Sequence, residues 1–208
     1  EALSQLLVAL RFGSDSYARG DQLQALSVFS DALQLFTTTG NVRGIGASLN
    51  NLAAVELALG NCEVAEALYK SAIENAEEQY LSARRRFQEL PSAVQQVPES
   101  HEQHALSSTS GAEVVSSHEV SISLSSPSFA DIEAQTLQDS LLPEDAKSAQ
   151  RLLSDRRGNL AVCYLQQRRF AEAFGLLERC LTEDEATSYL KGYIVKQGTL
   201  GQFYLMQG

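Results

Sequence analysis

The chain has 208 residues, of which 44% are hydrophobic, and a formal net charge of −10, so it is long enough for one or two domains with a sizeable core. No apolar run reaches the roughly 20 residues that a membrane-spanning helix needs, and no basic and then apolar start marks a secretory signal, so no membrane association is expected. The three cysteines are odd in number and lack the spacing of metal ligands, which favours a reduced, cytoplasmic setting without a metal site.

The net negative charge arises from one part of the chain. Residues 87–146 contain ten carboxylates and no lysine or arginine, whereas the remaining 16 acidic and 16 basic residues cancel. All three histidines and all four prolines also lie in this window. The sequence therefore combines a charge-balanced part, rich in alanine and leucine, with one acidic segment.

The first predicted elements are a pair of helices that recurs after 40 residues. In both units a glycine is followed, at gaps of five, four and three residues, by a small, a bulky and another small residue: Gly20, Ala25, Phe29 and Ala32, then Gly60, Ala65, Tyr69 and Ala72. The pairs Phe12-Gly13 and Leu52-Ala53 precede these glycines. Small residues at a helix crossing let two backbones approach, and glycine closes a helix without a Cβ penalty. We therefore predict an antiparallel helix pair in each unit.

The acidic segment that follows is predicted to be a disordered insert at 89–144. Serine dominates its composition, and the helical periodicity of the first two units disappears. Such a composition buries too little apolar surface to offset the entropy of ordering the chain. Ser126, which precedes a proline, is a candidate phosphorylation site, and the alternative is a plain polar linker. The histidines are interpreted as solvated side chains, because a metal site needs ligands held in a fixed geometry.

Two further units follow the insert. The gaps of five, four and three residues recur, after the pair Leu160-Ala161, at Arg168, Ala173, Leu177 and Cys180. A fourth unit begins at Leu200-Gly201, 40 residues after Leu160, and the sequence ends at Gly208 before a second helix. A lone first helix would leave its apolar face uncovered, so further repeats are expected beyond Gly208.

This arrangement resembles the tetratricopeptide repeat family. The resemblance depends on the small residue before the turn, the Gly-Asn or Gly-Asp at the turn, and the alternation of alanine with an aromatic residue after it. The period of 40 and the missing proline after the second helix are similar to the longer subclass found in Pins-like scaffold proteins. The resemblance implies an all-α superhelix, an α-α solenoid of about 3.5 repeats. The predicted domains are repeats 1 and 2 at 6–88, the insert at 89–144, and repeat 3 with the first helix of repeat 4 at 145–208.

The resemblance also implies a concave groove, lined by the first helices, that binds a peptide or helix of a partner protein. Asn51 and Asn159 occupy equivalent places one residue before the apolar-small pair, with Asn50 beside the former. An amide both donates and accepts hydrogen bonds, which suits the backbone of an extended peptide. The alternative interpretation is a hydrogen bond between adjacent repeats. The other groove candidates are Ser14, Tyr17, Arg43, Lys191, Lys196 and Gln202.

The residue types favour recognition over catalysis. Cys163 and Cys180 lie at helix-packing positions, and a Cys–His pair has no support because every histidine lies in the insert. The sequence has no glycine-rich phosphate loop or Ser-His-Asp arrangement, and no cofactor is expected. Arg84, Arg85 and Arg86 are interpreted as offsetting the acidic segment or remaining solvated, because a neutral scaffold with an acidic loop is a poor match for nucleic acid. We therefore predict a non-catalytic protein–protein interaction scaffold.

The nature of the partner and the role of the insert leave alternatives open. Arg43 and Lys191 recur at matched positions just before first helices and favour a partner segment with acidic character. In one alternative function, the module is a regulatory arm that docks the catalytic domain of a larger signalling enzyme in cis. In another, the acidic insert occupies the groove until a partner displaces it.

Overall fold

The computed structural model describes residues 2–89 and 143–207, and within these ranges it consists of seven α-helices without a β-strand. The helices are α1 (Ala2–Ala18), α2 (Gln22–Thr38), α3 (Val42–Ala58), α4 (Cys62–Gln88), α5 (Glu144–Gln166), α6 (Phe170–Ala186) and α7 (Leu190–Gln207). Each helix packs on the next one in the chain, and α4 packs on α5 across residues 90–142. This confirms the predicted all-α superhelix of about three and a half helix pairs. Ser126 and the three histidines of the predicted insert lie outside the described residues.

The turns between helices share one backbone geometry and are 20 residues apart on each side of residues 90–142. Gly20, Gly40 and Gly60 have φ angles of 81°, 66° and 84°. Arg168 and Ser188 adopt the same left-handed conformation, at 59° and 52°. A residue in this conformation ends an α-helix and redirects the chain. Because α2, α3 and α6 each have 17 residues, three residues remain for each turn, which produces the period of 40 in the sequence.

Small residues at the helix crossings form the core together with aromatic rings. Ala25 and Ala65 are fully buried, and the rings of Phe29 and Tyr69 beside them are 2% and 3% exposed. A Cβ on Gly13 would lie 2.7 Å from the ring of Phe29, so this approach of α1 to α2 depends on glycine. The alanines are therefore the contact points of the paired helices.

Helices α4 and α5 are longer than the other paired helices. α4 has 27 residues and α5 has 23, against 17 in α2, α3 and α6. Counted from the neighbouring turns, the extra length consists of residues 79–88 and 144–149. The two segments pack on each other through Ala83 and Ala146, which are 3% and 0% exposed. We call residues 79–88 and 144–149 together the extension.

Two arginines join the second helix pair to the third. Arg156 donates from Nη1 to the carbonyl of Ala72 (2.6 Å), and burial lowers the pKa of this arginine to about 10. Arg157 forms ion pairs with Glu77 (2.8 Å) and Glu183 (2.5 Å). A buried charge is tolerated only when it is paired and hydrogen-bonded. These bonds therefore fix α5 against α4 and α6.

The last helix, α7, has exposed apolar side chains. Leu190, Ile194 and Leu205 are 69%, 60% and 85% exposed. Leu205 is equivalent in the repeat to Leu57, which is only 8% exposed because it packs in the core beside Ala65. Among the described residues no second helix covers Leu205, and the expectation of further repeats stays a prediction.

Candidate functional site

A groove of about 1330 Å³ lies on the first helices of consecutive pairs. The lining residues include Val42, Arg43, Asn50 and Asn51 of α3, Asp155 and Asn159 of α5, Lys191, Val195 and Lys196 of α7, and Leu81, Arg85, Arg86 and Asp145 of the extension. The groove therefore combines first helices, as the resemblance implies, with a contribution from the extension that the sequence does not predict.

Three asparagines come together in the groove. Asn159 donates from Nδ2 to Oδ1 of Asn50 (2.9 Å), which links α5 to α3. This is the hydrogen bond between repeats that the alternative interpretation expected. It leaves a donor on Asn50 and an acceptor on Asn159 unused. The side chain of Asn51 is half-buried and has no hydrogen-bond partner among the described residues, so both of its polar atoms remain available.

Lys196 lies in the groove lining but is only 2% exposed. Its Nζ is 2.7 Å from Oδ1 of Asp155 and 2.9 Å from Oδ2 of Asp184. Burial opposes its positive charge, but the hydrogen bonds to the two carboxylates outweigh burial and raise the pKa of Lys196. The side chains of Tyr189 and Ser154 complete the cluster by donating to Asp155 (3.0 Å) and Asp184 (2.7 Å). The charge of Lys196 is therefore already paired within the fold.

The exposed charge in the groove is positive. Six basic side chains and three acidic ones line it. Arg43, Arg85 and Lys191 are exposed and have no ion-pair partner within residues 2–89 and 143–207. Arg86 reaches Asp145 at 3.7 Å in an exposed pair, an arrangement that contributes little stability. The groove therefore presents exposed cations to any ligand that enters it.

Three predicted groove residues lie elsewhere. Ser14 and Tyr17 belong to α1, and Gln202 lies near the end of α7, and none of them lines the groove. The hydroxyl of Ser14 donates within its own helix, to the carbonyl of Leu10 (3.0 Å). The structure brings Asn50, Asn51, Asn159, Arg43, Lys191 and Lys196 together and leaves these three outside.

The extension arginines are the part of the groove that the sequence interpretation missed. Arg85 and Arg86 are interpreted from the sequence as offsetting the acidic segment or remaining solvated, and neither interpretation places them in the groove lining, where the structure has both. The available signal was the stripe of small residues in α4, which continues beyond Ala72 to Ala76 and Ala83 on the same helix face. That stripe indicates that α4 continues past the length of a regular repeat helix.

The described residues show no reactive or metal-binding arrangement. They contain no group of three or more His, Cys, Asp or Glu side chains that could hold a metal ion. Cys163 and Cys180 are buried free thiols. Burial raises their pKa values to about 11 and about 12, so both stay protonated and weakly nucleophilic near neutral pH. None of the described helices is long and apolar enough to span a membrane.

Comparison with known proteins places the fold in a family. Two family models, both described as tetratricopeptide repeat, match residues 5–78 and residues 153–182. No curated protein matches the chain. The first match ends where the extension begins in α4, and the second begins after the extension ends in α5. The matched ranges therefore include α3 and most of α5, whereas α7 and the extension lie outside both matches.

Proposed function

Because the chain belongs to the tetratricopeptide repeat family, whose repeats generally mediate protein–protein interaction, we propose that it is a non-catalytic scaffold that binds a peptide or helix of a partner protein in the groove. The observation that supports this proposal most strongly is the presence of unused amide groups and exposed apolar side chains in one groove.

The two kinds of lining residue have complementary roles. An extended peptide presents unpaired N–H and C=O groups, and Asn51 offers both an acceptor and a donor to them. Val42, Leu81 and Val195 line the groove while 45%, 46% and 61% exposed, so bound side chains would remove apolar surface from water. Apolar burial combined with a few fixed polar contacts is typical of peptide-binding grooves.

The double variant Asn51→Ala/Asn159→Ala tests this function. Proteins captured from a cell extract on the immobilised wild-type chain are quantified beside those captured on the double variant. Asn61→Ala is the matched control, because Asn61 lies outside the groove and its side chain donates only to Glu56, in the last turn of α3. We expect a partner whose capture falls about five-fold or more in the double variant and is unchanged in the control. Equal capture by all three folded chains, with folding checked by thermal melts, would contradict groove binding.

We also propose a reduced, cytoplasmic location. Cys62, Cys163 and Cys180 are all free thiols, as expected for a protein that stays in a reducing compartment. Imaging of the tagged chain tests this, and accumulation in the secretory pathway would contradict it.

No described residue favours the regulatory-arm alternative, which stays a prediction that the full reading frame tests.

A further inference from the structure

The extension adds basic side chains to the groove. Residues 79–88 and 144–149 exceed the length of the other paired helices and lie outside the ranges that the family models match. Arg85 and Arg86 of this extension line the same groove as Arg43. Cations from the extension and from the regular repeats therefore act on one groove.

The exposed and the buried cations of the groove differ in whether a carboxylate neutralises them. Lys196 is buried and neutralised by two carboxylates, so it adds little to the field that a ligand meets. Arg43, Arg85 and Lys191 are exposed, lie in three different helices, and have no ion-pair partner among the described residues. The one exposed lining acid without an ion-pair partner in that part of the chain is Glu78. The uncompensated charge of the groove is therefore positive.

We propose that the groove binds an acidic peptide segment of the partner, an inference that rests on the groove-binding function proposed above. Guanidinium groups pair carboxylates with two parallel hydrogen bonds, which suits Arg43 and Arg85 as anchors for aspartate or glutamate side chains. The chain as a whole has a net charge of −10. Outside residues 87–146, however, the 16 acidic and 16 basic side chains cancel, so the excess of positive charge in the groove is a local feature that attracts an acidic segment and orients it.

A peptide suits the groove better than a nucleic acid, the other acidic macromolecule. Val42, Leu81 and Val195 give the lining an exposed apolar component that a phosphate backbone does not use. Binding to nucleic acid also relies on many phosphate contacts, and a chain of net charge −10 with three uncompensated groove cations is a poor source of them. The acidic peptide is therefore the occupant that the observations favour.

The test measures binding of defined probes to the full chain by fluorescence anisotropy. The probes are a labelled peptide that repeats Glu-Leu-Glu-Ala, its counterpart with Gln in place of Glu, and a labelled single-stranded oligonucleotide. The variant is Arg43→Gln/Arg85→Gln/Lys191→Gln, and the matched control is Lys70→Gln, because Lys70 is 54% exposed and lies outside the groove. All four positions are exposed, so the variants keep the fold, which thermal melts verify.

Binding of the Glu peptide in the groove has three expected signatures. It binds about ten-fold or more tightly than the Gln peptide at low salt, and its affinity falls as NaCl rises from about 0.05 to about 0.3 M. The triple variant weakens it about ten-fold, from roughly two- to three-fold for each cation, and Lys70→Gln leaves it unchanged.

Three results would overturn the acidic partner. If both peptides bind equally and only Asn51→Ala/Asn159→Ala weakens them, the acidic preference fails while groove binding stands. If neither set of groove variants changes the affinity of a bound peptide, both proposals fail. If the oligonucleotide binds more tightly than the Glu peptide and responds to the triple variant, the groove recognises nucleic acid instead.

Discussion

At the scale of single residues, two turns hold a side chain where three others hold glycine. Arg168 and Ser188 have φ angles of 59° and 52°, in the region where a Cβ crowds the backbone. Gly20 and Gly60 occupy equivalent turns without that cost. The third helix pair therefore stores backbone strain that the first two avoid.

The variant Arg168→Gly is expected to stabilise the protein by about 0.5–1 kcal/mol, because relief of the strained φ outweighs the added freedom of glycine in the unfolded chain. Arg168 is exposed and has no side-chain partner in the described residues, so the exchange removes no contact. Urea unfolding measures the change. Arg168→Ala keeps the Cβ and serves as the control, which should gain nothing, and a glycine variant less stable than wild type would contradict the strain.

Lys196 is expected to be essential for stability. The variant Lys196→Met leaves Asp184, whose side chain is fully buried, without its cation and should cost about 3 kcal/mol in urea unfolding. The double variant Lys196→Met/Asp184→Asn removes the uncompensated charge and keeps a partner for Ser154, so it should be more stable than the single variant. A single variant as stable as wild type would show that the ion pair contributes nothing.

The ion pair between Lys196 and Asp184 also makes the stability of the protein depend on pH. The pKa of Lys196 is raised in the folded state, so its contribution is complete below the unfolded value of about 10.4 and is lost as the pH rises through the folded pKa. Stability should therefore fall in alkali, and less steeply in Lys196→Met. Part of the fall remains in the variant, because burial also raises the pKa of Cys180 to about 12.

At the scale of helices, the contact between α2 and α3 depends on the absence of a side chain. A Cβ on Gly44 would lie 2.1 Å from Cδ1 of Phe36, which is 2% exposed and held by its neighbours. The ring therefore occupies the space that any other residue at position 44 would need.

Gly44→Ala is expected to destabilise the protein by about 2 kcal/mol, because the ring of Phe36 must move from its packed position. Gly175→Ala in α6 is the matched control, since a Cβ there meets nothing within 4 Å and alanine favours the helix by up to about 1 kcal/mol. Thermal melts of the two variants should shift in opposite directions. A Gly44→Ala protein that melts like wild type would contradict the packing described for α2 and α3.

The length of a helix decided how much of the groove could be predicted. The helix pairs were predictable because residues such as Ala53 of a first helix and Ala65 of a second helix recur at a fixed spacing that paired helices explain. The place of the extension arginines was not, because the stripe of Ala76, Tyr80, Ala83 and Phe87 indicates a longer α4 but not what that helix packs against. Their place in the groove depends on α5 packing against α4 across residues 90–142, a contact that no local pattern records.

At the scale of the whole molecule, long-range pairs decided which predicted residues are free to bind. Lys196 has the exposed, charged character of a groove residue in the sequence, but the carboxylates of Asp155 and Asp184 from two other helices bury it. Asn50 and Asn159 meet across 109 positions of the chain. By contrast, the acidic total charge can be read from the composition alone. The positive charge of the groove depends on the fold, which brings cations of three helices together.

Site-specific photo-crosslinking tests groove binding most directly. A photoreactive phenylalanine analogue is placed at Val195 or Leu81, both exposed in the groove, or at Val64, which is 50% exposed on α4 outside it. Groove binding predicts that the partner lost by Asn51→Ala/Asn159→Ala forms an adduct from Val195 and Leu81 and none from Val64. An adduct from Val64 with none from the two groove positions would place recognition outside the groove and contradict the proposed function.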